Sequence, residues 1–234
     1  MKRQRSNGPF VVPAGQQVVM TLRAGPGEDV PTRVDFYTGG QNILVEDIMS
    51  ARWSQFAMAG AVSTELFGGL PLWLRNLHGH EEICVYLRNP CEVDVPVTLY
   101  VDFASVPVKA QRSTYLCPFQ PSPESTPGQK LFIARTRVGG RLRELRMTID
   151  CMRHLGRELK VAVSTYNTKP DETGELDGTR DLYSLKASLN SNMFGASALV
   201  RTDAVIELAI DDDEFWRDVR PEDFMIVIEH DRQA

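Results

Sequence analysis

Only four histidines stand in the chain, so the two that lie close together come first. His78-Gly79-His80 is followed at once by Glu81 and Glu82. Two imidazoles two residues apart on a strand point to the same face and can share a metal ion. His154 and His230 stand alone. The run Asp211-Asp212-Asp213-Glu214 offers the oxygen ligands that calcium takes, but a solvated helix start uses the same residues, and that is the reading adopted. The acidic stretch Asp171 to Gly178 lacks the spacing of a calcium loop and reads as an exposed, mobile loop. Cys84, Cys91, Cys117 and Cys151 form no CxxC pair and no zinc spacing. They read as reduced, mostly buried thiols of a protein made in a cytoplasm, with a Cys84–Cys91 hairpin bridge left open. Lys2, Arg3 and Arg5 form a basic start that can touch the phosphates of nucleic acid or of lipid headgroups; the bland counterpart is a solubilising terminus. Trp53, Trp73 and Trp216 could line a sugar site. Trp53 and Trp73 have core-like neighbours, and Trp216 beside Phe215 suits an interface anchor.

Catalytic signatures are missing from the chain. There is no GxSxG, no HExxH, no phosphate loop and no dinucleotide fingerprint. The expectation is a protein without catalytic residues, cofactor or metal. Composition agrees with a globular fold: 234 residues, 42% hydrophobic and 24% charged, which excludes wholesale disorder. No apolar run approaches the roughly 18 residues of a membrane span, and no apolar stretch after the basic start reads as a signal peptide. The net charge of −5 argues against a dedicated nucleic-acid binder.

The elements that would position any site read mostly as strands. Val18 to Arg23, Arg33 to Thr38, Ile83 to Leu87, Val97 to Phe103, Leu142 to Ile149, Leu159 to Thr165, Val205 to Ile210 and Phe224 to Glu229 are short, β-branched or alternating. Gly and Pro punctuate them, as in a sandwich or barrel. Two segments switch to helical spacing. Met49, Trp53, Phe56 and Ala57 make one apolar stripe, predicting a helix near 47–60. Leu182, Leu185, Leu189 and Met193 make another, near 179–192. A third short helix is expected from about Asp211, ended by Pro221. The Pro-rich stretch 109–136 has the composition of a linker.

That stretch lies near mid-chain, and an ungapped shift of 127 positions places Met20-Thr21-Leu22 against Met147-Thr148-Ile149. The closing segments Val97 to Tyr100 and Met225 to Ile228 align at a shift of 128. The chain is therefore expected to be all-β, with two tandem jelly-roll-like sandwiches, each with one short embedded helix. The expected divisions are a basic N-terminal arm 1–9, a first sandwich 10–108, a linker 109–136 and a second sandwich 137–234.

Two family resemblances bear on function. His78-Gly79-His80 resembles the first half of a cupin metal motif. Leu72 stands where that family has a glycine, Glu81 and Glu82 come early, and no second motif follows. The segment thus reads as a polar turn leading into the strand at Ile83. The tandem sandwiches, the basic start and the absence of a catalytic motif resemble the double jelly-roll major capsid proteins of tailless icosahedral double-stranded DNA viruses and bacteriophages. That resemblance implies a homotrimer or higher assembly building a shell, with other virion proteins as partners. It also implies a virion location after synthesis in the host cytoplasm, and contact with nucleic acid or an inner membrane through Lys2, Arg3 and Arg5. The competing readings are a glycan-binding, spike or decorating module and a two-cupin metalloenzyme. With the cupin pattern broken, replacing both His78 and His80 by Ala should leave metal content unchanged by elemental analysis and folding unchanged by circular dichroism.

Overall fold

The structure is a computed structural model. It describes residues 2–23, 29–51, 53–70, 72, 82–105, 112–153, 160–164, 178–181, 199–200, 205–211 and 218–231. The chain divides into two compact units, Met1–Thr114 with Asp231–Ala234, and Tyr115–His230.

The first unit holds β1 (Lys2–Val12), β2 (Gln17–Arg23), β3 (Asp29–Tyr37), β4 (Leu44–Ser50), β5 (Trp53–Ser54), β6 (Val62–Ser63), β7 (Glu82–Arg88) and β8 (Val95–Ser105). They form two antiparallel sheets, ordered β1-β8-β3 and β2-β7-β4-β5, with β6 also on β4. Period-2 alternation decides the faces. Ile83, Val85 and Leu87 of β7 are buried, and the residues between them are half-buried. In β8, Val95, Val97, Leu99, Val101 and Phe103 are buried while Pro96, Thr98, Tyr100 and Asp102 are in the opposite phase. Each sheet thus presents one apolar face, the condition for a sandwich-like core. Phe67, on a 3₁₀ turn at Thr64–Phe67, meets the Phe36 ring edge-on at 5.1 Å.

The second unit holds β9 (Arg112–Pro118), β10 (Gln120–Pro121), β11 (Gln129–Arg135), β12 (Gly140–Met147), a short helix α1 (Ile149–Arg153), β13 (Lys160–Ser164), β14 (Gly178–Asp181), β15 (Leu199–Val200), β16 (Val205–Asp211) and β17 (Phe224–Asp231). Its sheets are ordered β15-β12-β17-β9 and β10-β11-β16-β13-β14. Phe119 and Phe132 each approach the Phe224 ring at 6.2 Å in its core.

The two units repeat one strand order. β9, β11, β12, β13, β14, β16 and β17 take the places of β1, β2, β3, β4, β5, β7 and β8. The ungapped shift of 127 misassigned most of these pairs: Met20 lies in β2, whereas Met147 ends β12, the counterpart of β3. Equivalent strands start 112 residues apart at β2 and β11, and 129 apart at β8 and β17. The longer connections after β12, β13 and β16 make the difference, and loops are where such insertions are tolerated.

Other expectations are corrected. Residues 47–60 form no helix: they fall in β4, β5 and the segment after them. A bulge between Val45 and Asp47 breaks the alternation of β4. Further on, Met49 pairs with Ser54 and Ser50 with Trp53, so the spacing of Met49, Trp53, Phe56 and Ala57 comes from a tight reversal of the chain and the segment after it, not from a helix. Of the segment 179–192, residues 179–181 belong to β14 and the rest lie outside the described residues. Asp211 ends a strand, and Pro221 opens a 3₁₀ turn at Pro221–Asp223, its ring suited to a first helical position. The stretch 109–136 is no linker, since it holds β9, β10 and β11. Its prolines sit where they cost no ladder bond: Pro118 ends β9, Pro121 lies on the two-residue edge strand β10, and Pro123 and Pro127 are in turns. The basic start is no free arm either, because Lys2 to Asn7 pair residue by residue with β8.

One buried side chain ties strand ends of both sheets in the first unit. Asn89 has no exposed surface. Its amide donates to the carbonyls of Val12 (2.9 Å) and Val93 (2.8 Å), and its carbonyl accepts from the Cys91 N–H (2.9 Å). Its own N–H donates to Gln16 O at 2.9 Å. Asn89→Ala strands these groups and should destabilise by about 2–3 kcal/mol. Urea unfolding should show a lower midpoint with an unchanged slope.

Candidate functional site

The bulge in β4 gathers polar side chains on the outer side of the sheet β2-β7-β4-β5. It lets two consecutive carboxylates, Glu46 and Asp47, escape the core; both are half-buried. Glu46 accepts from Arg88 Nε at 2.7 Å and from the Gln17 amide, linking β4, β7 and β2. Asp47 Oδ1 accepts from its neighbour's N–H, that of Ile48, at 2.7 Å. The Ser54 hydroxyl reaches both Asp47 oxygens, at 2.7 and 2.8 Å, and accepts from the Phe56 N–H at 3.1 Å. Burial pushes the Asp47 carboxyl up from the ordinary aspartate value, and the hydrogen bonds from Ser54 and Ile48 pull against it.

A serine hydroxyl bound to a carboxylate is not by itself an activated nucleophile; that needs a positioned base such as His. None of the described residues supplies one here. His230 Nδ1 lies 2.8 Å from Gly139 O, so that nitrogen carries the proton, and the ring stands edge-on to Tyr115. The Asp47–Ser54 contact therefore pins the β4–β5 hairpin. In the second unit Asp223 plays a similar part. It accepts from the Arg220 N–H at 2.8 Å and from the Thr148 hydroxyl at 3.3 Å, and burial raises its carboxyl too.

The residues singled out from the sequence are not brought together. His78, His80, Glu81, His154, Trp73, Trp216, the segment 171–177 and Asp212 to Glu214 lie outside the described residues. Glu82 begins β7 and Asp211 ends β16. Trp53 is on β5, half-buried, with its indole N–H buried and unpaired. None of the four cysteines is in a disulfide; Cys117 and Cys151 are buried, and Cys84 and Cys91 half-buried. Burial pushes the Cys117 thiol far up, so it is inert as a nucleophile. Among the described residues no group of three His, Cys, Asp or Glu side chains is placed to hold a metal ion. Lys2, Arg3 and Arg5 lie along β1 at one end of the sheet β1-β8-β3.

That sheet carries the feature the sequence reading missed. On its outer face Val11 is 57% exposed, Tyr37 63% and Tyr100 36%, with Pro96 exposed among them. The register places Val11 opposite Pro96, Tyr37 opposite Thr98 and Tyr100 opposite Asp35. A signal was present: Tyr100 is in phase with Thr98 and Asp102, the polar positions of its strand. No family model, no curated protein and no solved structure matches the chain. What the described residues assemble is a surface suited to contact.

Asp47 gives this region a pH dependence of known sign. Its folded pKa is raised, so it contributes stability below the ordinary aspartate value, lost as pH rises through the folded pKa. Unfolding measured from about pH 4 to pH 7 should show Asp47→Asn gaining on the native protein as pH rises. Ser54→Ala should cost about 1 kcal/mol at neutral pH, read from the same unfolding curves.

Proposed function

We propose that the chain is a structural virion protein, a capsid protein built from two tandem jelly rolls, which forms a shell by self-association. What supports this is one observation: the same strand order occurs twice. β1-β8-β3 facing β2-β7-β4-β5, and β9-β17-β12-β15 facing β11-β16-β13-β14, are the orders in which a jelly roll interleaves early and late strands. The embedded helical elements on this reading are the turn Thr64–Phe67 and α1. A shell protein works through repeated side-to-side contacts rather than a reacting centre. The open sheet face with Val11, Tyr37 and Tyr100 offers one such surface.

A jelly roll hosts many functions, so assembly itself is the test. Electron microscopy and native mass measurement of the purified chain should show trimers or closed shells. A chain that stays monomeric when concentrated, and is instead retained on a glycan array, would replace this proposal with a binding module. Deleting residues 1–7 should do more than remove charge. It strips half of an edge strand from β8, so the truncated chain should lose both assembly and thermal stability.

A further inference from the structure

We propose that Asn7 is a self-modification site: the backbone nitrogen of Gly8 closes on the Asn7 side-chain amide, and the resulting succinimide opens with water to isoaspartate or aspartate. Asparagine is a chemically labile residue. Its ring closure is fastest when the next residue has no side chain to block the approach. Asn7 alone among the asparagines of the chain precedes a glycine.

The fold itself demands that glycine. Gly8 has φ +125°, a backbone that side chains rarely adopt, and a Cβ there would stand 2.8 Å from Val97 O. It sits in a bulge: the register runs from Asn7 opposite Leu99 to Phe10 opposite Val97, and Gly8 and Pro9 have no partner between them. Gly8 is exposed. The attacking nitrogen therefore lies where the ladder is interrupted and water is at hand. The Asn7 side chain is loosely held, since its hydrogen bond among the described residues, to Thr21 O, is 3.5 Å long. Asn89, by contrast, is fixed by two hydrogen bonds through its amide, and Pro90 after it has no N–H to give up. Asn42 precedes Ile43, whose branched side chain crowds the nitrogen.

In the step, the bond from Gly8 N to Asn7 Cγ forms and the Cγ–Nδ2 bond breaks, with ammonia carrying off the Gly8 proton. Water then splits either carbonyl–nitrogen bond of the imide. One cleavage gives aspartate. The other gives isoaspartate, whose main chain runs through the former side chain and is one carbon longer. Asn7 stands opposite the buried Leu99, so it lies in the inward phase of β1. Conversion puts a half-buried carboxylate where an amide donated to Thr21 O, which costs desolvation beside a carbonyl. The longer main chain falls between the paired segments 2–7 and 10–12. Ageing at Asn7 thus loosens the first half of β1 from β8. The inference does not rest on the shell proposed above.

The test incubates the full chain in warm, mildly alkaline buffer and maps its peptides by mass spectrometry. Asn7 should convert at least tenfold faster than any other asparagine, with isoaspartate, read by an isoaspartate methyltransferase, exceeding aspartate. Folded chain and chain unfolded in guanidinium should convert Asn7 at rates within tenfold of each other. The aged chain should melt at a lower temperature than the fresh one. Asn7→Gln, which keeps an amide and closes a ring far more slowly, should neither convert nor lose melting temperature. An Asn7 that converts more than tenfold more slowly in the folded chain would overturn the proposal, since the ladder would then guard the bond. So would conversion that leaves the melt unmoved, or an aged Asn7→Gln chain that loses as much as the native one.

Discussion

In each unit the last strand must find the first. β8 lies between β1 and β3, and β17 lies between β9 and β12. Pairing Lys2 with Ala104 joins residues about a hundred positions apart. Neither sheet of the first unit has a local route to completion, because β7 likewise lies between β2 and β4. The core forms only when early and late segments meet. That arrangement has high contact order, which slows folding but leaves few strands free to peel away singly.

Polar side chains secure the ends of these non-local ladders. Asn89 satisfies carbonyls from the end of β1 and from the turn before β8, while its own backbone holds the residue before β2. In the second unit the turn around Ser122 and Ser125 works similarly. Ser125 Oγ donates to Ser122 O at 2.9 Å and accepts from the Leu131 N–H at 3.1 Å. The groups of Asn89 lie in the interior and cost free energy if left unpaired, so they favour one register.

The two units use one topology for different surroundings. β8 alternates buried and outward residues, whereas β17 is buried from Phe224 through Ile228. Leu145 opposite Ile226 marks its core face, and Arg146 opposite Met225 marks the other. One unit thus keeps a sheet face open with tyrosines on it, and the other has the corresponding strand covered on both sides. Self-association proposed for the chain falls naturally on the open face.

Strand content was legible in single segments, because period-2 patterns such as Val97 to Phe103 are decided by local residues meeting one core. The closing strands were recognised as counterparts, but at a shift of 128 rather than 129, and that one residue sets the core-facing Val97 against Met225 instead of Ile226. The bulge at Glu46 and Asp47 was not legible, because it depends on pairing with β7, about forty residues on. Nor was the tight β4–β5 turn, whose reversal between Met49 and Trp53 gave an apolar spacing that looked like a helix. The strands within 109–136 were hidden for a related reason. A proline is harmless at a strand end or on an edge, but which strand is an edge is settled only by what pairs beside it. The basic start is the same case, since nothing in Lys2 to Asn7 announces a ladder with residues near 100. Residue type and spacing determined which segments would be extended and which side chains would seek the core. The tertiary structure decided their order, their edges and which face stayed open, because backbone hydrogen bonds and burial are satisfied by partners remote in the chain.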